Sequence, residues 1–135
     1  MANSLALYAA SYSSASAAVA DLDAIEQLHK EKFVGSFDAA VIDKENGKPH
    51  IRKRMDRPRI HAIPEMFGGG KLPRKELKEA ASELTGSEAG LIVVGEPTIE
   101  KGVDSALKGA EKVMKHSIEA TSDEIAEELQ EALKD

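Results

Sequence analysis

A chain of 135 residues with a formal net charge of −6 has the length of a single domain, 1–135, and roughly 22 % of it is Leu, Ile, Val or Phe, enough for a thin core. It contains no cysteine, which excludes disulfides, thiol catalysis and thiolate metal sites. No apolar run approaches the ~18 residues of a membrane span, and the N-terminus lacks the basic and long apolar regions of a signal peptide, so a soluble cytoplasmic domain without a cofactor is expected.

Ser4 to Tyr12 (SLALYAASY) is short, alternating and flanked by small polar residues, the pattern of a first strand. From Ser14 the period becomes helical. Ala18, Leu22, Ile25 and Leu28 fall three and four apart on one face, with Asp21, Asp23, Glu26, Gln27 and Lys30 expected in water. Gly35-Ser36 ends this helix. Phe37 to Asp56 then reads as a hairpin, because Asn46-Gly47 suits the two positive-φ positions of a type I′ turn. A two-residue turn sets Ile42 opposite Ile51, Val41 opposite Arg52, Asp43 opposite His50 and Ala39 opposite Arg54. One hairpin face is then apolar and the other a basic column.

Residues 57–72 hold prolines and the run Gly68-Gly69-Gly70, so an irregular, mobile loop is expected there. A helix starts near Pro73 with Leu77, Ala80, Ala81 and Leu84 as its apolar stripe, and Gly86 ends it. The run Leu91-Ile92-Val93-Val94 predicts a strand buried on both faces. A weak helix capped by Thr98 follows, carrying Ile99, Val103, Ala106, Leu107 and Ala110, with Gly102 and Gly109 against it. Lys112 to Ala120 alternates and reads as an edge strand, with one continuous helix from Thr98 as the alternative. Thr121-Ser122-Asp123-Glu124 is a capping box opening an acidic C-terminal helix, 121–135, with Ile125, Leu129, Ala132 and Leu133 on one face.

The order β-α-β-β-α-β predicts an α+β fold, a ferredoxin-like split βαβ sandwich extended by a helix, a short strand and a helix. That order, with FDAAVIDKENGK at the hairpin, EAGLIVVGEPT at the buried strand and KVMKHSIEA at the last strand, resembles a bacterial family of unknown function. Its members are described as stress-associated or membrane-associated proteins. The resemblance implies the same ferredoxin-like core and a stress-related setting, and it carries no established active-site residues. Where relatives have an apolar, glycine-rich link, this chain reads RPRIHAIPEMFGGGKLPRKEL, polar and broken by proline.

Charge is unevenly spread. Residues 48–75 hold nine Lys/Arg against Asp56 and Glu65, whereas residues 119–135 hold seven acids against Lys134. His50, Arg52, Arg54, Arg57, Arg59 and Lys71 are the candidate ligand-binding residues, suited to an acidic or phosphate-bearing partner. Nucleic acid is disfavoured, because none of the five aromatics interleaves with the arginines to stack bases. The acidic tail is another candidate occupant of the basic segment, in the same chain or a neighbouring subunit. Gly68-Gly69-Gly70-Lys71 lacks the phosphate-loop spacing, since Glu65 stands where a glycine is needed and Leu72 where Ser or Thr is needed. His29, His50, His61 and His116 have no metal-ligand spacing, and no nucleophile or paired-carboxylate motif is present. The favoured function is therefore non-enzymatic protein association or anion binding. The alternatives are a small-molecule enzyme using His50 or His61, and a nucleic-acid binder through 48–75. Helices covering one sheet face would leave half of Leu91-Ile92-Val93-Val94 in water, so the other face needs either the last helix folding back or, the favoured reading, the second subunit of a homodimer.

Overall fold

The computed structural model describes residues 4–30, 36–46, 48–55, 60, 62–63 and 72–133. Five strands and four helices follow one another: β1 (Ser4–Tyr12), α1 (Ala15–Lys30), β2 (Phe37–Glu45), β3 (Lys48–Arg54), α2 (Lys75–Thr85), β4 (Ala89–Gly95), a 3-10 turn (Pro97–Ile99), α3 (Glu100–Ala106), β5 (Lys112–Glu119) and α4 (Ser122–Ala132). The strands form one antiparallel sheet in the order β3-β2-β4-β1-β5. Because β1 and β2 both run antiparallel to β4, they are parallel to each other and split by it. By the same logic β3 and β4 are split by β2, and β4 and β5 by β1.

The α+β class and the apolar stripes of α1, α2 and α4 are as the periodicity predicts, whereas α3 ends at Ala106 and leaves Leu107 and Ala110 beyond it. The coverage of the sheet also differs. A one-face sandwich was the expectation, but helices pack on both faces. Ala40, Ile42, Ile92 and Val94 point toward α2 and α4, meeting Leu77, Leu84, Ile125 and Leu129. Ala39, Val41, Leu91 and Val93 point the other way toward α1 and α3, meeting Leu22, Ile25 and Val103. All four residues of the Leu91-Ile92-Val93-Val94 run are 0 % exposed within the single chain. Each such side chain contributes roughly 1.5–3 kcal/mol on burial, and α1 with α3 supplies the cover for which a second subunit was invoked. α2 also seats closely, since a Cβ at Gly90 would lie 2.9 Å from the Cα of Leu84.

Several local expectations change for physical reasons. Asp21 does not face water: its Oδ2 accepts from the Tyr12 hydroxyl at 2.7 Å and from Gly109 N at 3.0 Å, tying the α3–β5 link onto α1. Thr98 is not a helix cap, because Pro97–Ile99 forms the 3-10 turn and α3 starts after Ile99. α2 begins at Lys75 with Arg74 as N-cap and no side-chain cap of its own. Its end is fixed by α4 instead, as Glu128 Oε1 accepts from Arg74 N at 2.8 Å and Nε at 2.9 Å, and Oε2 from Nη2 at 2.8 Å. The acidic helix thus meets the basic segment at Arg74. The Thr121/Glu124 capping box forms with both reciprocal hydrogen bonds. Residues 112–119 make an edge strand on β1, so the continuous-helix alternative falls. No helix among the described residues is long and apolar enough to cross a membrane.

Candidate anion-binding cleft at the hairpin overhang

The hairpin turns at Asn46, whose φ of 55° supplies the left-handed residue that the sequence anticipates. Ile42 does oppose Ile51 and Asp43 does oppose His50, but Val41 meets Lys53 and Ala40 meets Arg54. Arg52 is the extra residue of a β-bulge between those pairs. A one-residue slip sends each following side chain to the opposite face, and the expected basic column is split by it. Lys53 turns toward α1, where its Nζ reaches Asp23 at 2.6 Å. Arg54 turns to the α2/α4 face, where its Nη2 donates to Asp38 Oδ2 at 2.8 Å. Asp38 is fully buried, and the same oxygen accepts from Ala62 N and Ile63 N, each at 3.0 Å. Within the 57–72 loop, Ala62 and Ile63 are therefore buried and anchored rather than free of partners.

β2 pairs with β4 only as far as Ile42 and Gly90, so Asp43 to Glu45 and their partners on β3 project beyond the sheet. At this overhang lies an open cleft of about 600 Å³ lined by Ala15, Asp43, Lys44, Arg52, Gly86, Ser87 and Glu88. Each wall has a local cause. The overhang brings Lys44 and Arg52, the α2–β4 turn brings Ser87 and Glu88, and the start of α1 brings Ala15, where Ser14 Oγ accepts from Ala17 N at 3.2 Å.

The charged groups here are lightly held. Arg52 Nη1 lies 3.5 Å from Asp43 Oδ2, at the outer limit of a hydrogen bond, and its side chain is 54 % exposed. Asp43 is held more closely by His50, with Nδ1 to Oδ1 at 2.9 Å. Most of the guanidinium fork is thus left for a planar anionic group. A second open cleft, about 510 Å³, lies at the other end of the sheet and is lined by Ser4, Leu5, Ile60, Glu96, Thr98 and Thr121 among others. Among its described residues it carries no cation, so it is the poorer match to an anion.

The chain matches no family model, no curated protein and no solved structure. The site therefore stands on its geometry. Of the six candidate residues, His50 and Arg52 share the overhang, both touching Asp43. Arg54 is drawn away to Asp38. Arg57, Arg59 and Lys71 lie outside the described residues, as do His61 and the glycine run. Among the described residues no cluster of three or more His, Asp or Glu side chains is arranged to hold a metal ion. Lys44, Ser87 and Glu88 escape sequence reasoning, since only the β2–β4 pairing sets residues 86–88 beside residues 43 and 44. Asp38 does leave a signal: it is a carboxylate on the same alternating face as Ala40 and Ile42, where a charge needs a buried partner.

Proposed function

We propose that the chain is a non-enzymatic binding domain that takes a small anionic, phosphate- or carboxylate-bearing ligand in the cleft at the hairpin overhang. The observation that carries this reading is Arg52, exposed and, among the described residues, paired only through a long contact to Asp43, in a cleft also lined by Lys44 and Ser87. A guanidinium gives two parallel donors to a carboxylate or phosphate, Lys44 adds a point charge, and a hydroxyl completes the donor set. Acidic groups on a protein partner would satisfy the same donors. The stress-related setting of the family that the sequence resembles fits a domain that senses a small anion.

Titration with sulfate, followed by heteronuclear NMR, tests this. Shifts should concentrate at residues 15, 44, 52 and 86–88, and the affinity should fall as ionic strength rises. Arg52→Ala should weaken binding by roughly tenfold, the loss of a charge-assisted pair. Shifts confined to other surfaces, or binding indifferent to both salt and Arg52→Ala, would refute the site.

A further inference from the structure

His50 sits between two carboxylates of the opposite strand. Its Nδ1 is 2.9 Å from Asp43 Oδ1 and its Nε2 is 3.1 Å from Glu45 Oε2. An ionised carboxylate only accepts, whereas a neutral imidazole has one donor nitrogen and one lone pair. Both contacts are hydrogen bonds only when the ring carries both protons; the neutral ring turns a lone pair on one of the two carboxylates. Among the described residues Asp43 is also the ion-pair partner of Arg52, through Oδ2 at 3.5 Å. The remaining charged neighbours are Lys48, opposite Glu45 in the ladder, and Lys44 and Glu88 along the cleft, while Lys53 is turned away to Asp23 of α1.

Building on the anion-site reading, we infer that His50 is a positioning residue that couples anion uptake at Arg52 to proton uptake. With His50 doubly protonated, Asp43 has a counterion of its own and the Arg52 fork is left for the ligand. When His50 loses a proton, Arg52 becomes the chief partner of Asp43, and the ligand must compete with that carboxylate. The sign follows: affinity is highest at the acid side of the histidine range and falls as pH rises through about 5 to 8. By linkage, the bound anion raises the proton affinity of the site to the same extent.

Sulfate is the probe, because it keeps its charge throughout this range whereas phosphate does not. Calorimetry at about pH 5.5 and about pH 8, at fixed ionic strength, should give roughly two- to fivefold tighter binding in acid, the scale of exposed ion pairs. Buffers of different ionisation enthalpy should reveal proton uptake on binding. His50→Gln should bind equally at both pH values, near the weaker wild-type level, and His50→Lys should bind equally at both, near the stronger one. His116→Gln, which alters the contact with Glu79 on α2, should keep the wild-type pH dependence. Equal wild-type affinity at both pH values, or a pH dependence that survives in His50→Gln, overturns the proton link while leaving an Arg52-dependent anion site standing. Sulfate binding that ignores Arg52→Ala removes the site itself, and the link with it.

Discussion

Arg52 and Arg54 stand two residues apart on one strand and meet opposite fates. Arg54 is paired with a fully buried carboxylate, Asp38, which also gathers two backbone N–H groups of the 60–63 segment. Arg52 meets a carboxylate that is itself shared with His50, at a distance where the contact is weak. The bulge at Arg52 produces this division. It turns one arginine into the body of the molecule, where low dielectric makes partnership obligatory, and leaves the other at the overhang, where water makes it optional. Position relative to the sheet, rather than residue type, separates the structural cation from the one left to meet a ligand.

The contrast can be broken at its strongest point first. Asp38→Ala strips Arg54 and the two N–H groups of their acceptor, and breaking such a buried pair should cost about 3 kcal/mol. Urea unfolding would measure it, and amide exchange should show Ala62 and Ile63 losing protection along with it. A cost below about 1 kcal/mol would place Asp38 in the same class as a surface carboxylate.

A second buried carboxylate gives the body an alkaline signature. Burial, together with the Asp21 carboxylate, pushes the Tyr12 phenol well above its ordinary value near 10, and burial with Asp104 and Glu100 pushes Tyr8 the same way. The folded state therefore holds these protons after the unfolded chain has released them. Stability should fall as pH rises beyond about 10, because the unfolded state binds fewer protons there. Tyr12→Phe should flatten that limb without altering sulfate binding at the overhang, and chemical unfolding across the alkaline range would record both.

The overhang itself should barely affect stability. Asp43→Asn should change unfolding free energy by less than about 1 kcal/mol, as exposed pairs do, yet it should strengthen sulfate binding by removing the competitor for Arg52. The smallest effect on folding is expected from Arg52→Ala, which should leave the unfolding midpoint nearly unchanged while weakening the anion. Arg54→Ala should do the reverse, and a pair of variants behaving alike would erase the distinction between the two regions.

The sequence by itself determined the elements. Apolar spacing of three and four placed Leu77, Ala80, Ala81 and Leu84 on the buried stripe of α2, strict alternation marked the edge strand at 112–119, and Asn46 marked the hairpin turn. These are local signals, set by backbone periodicity and by which residues tolerate positive φ. Tertiary structure decided what lies between elements. Whether α1 covers the same face as α2 or the opposite one depends on how strands far apart in the chain pair, and β4 entering between β1 and β2 is invisible to any periodicity. The bulge that parts Arg52 from Arg54 is likewise a compromise with the neighbouring strand, since β2 must match both β3 and β4 at once. The cleft follows from that pairing. Lys44, Ser87 and Arg52 converge only because β2 outruns β4 at Gly90, so the residues of the site were legible singly and their meeting was not.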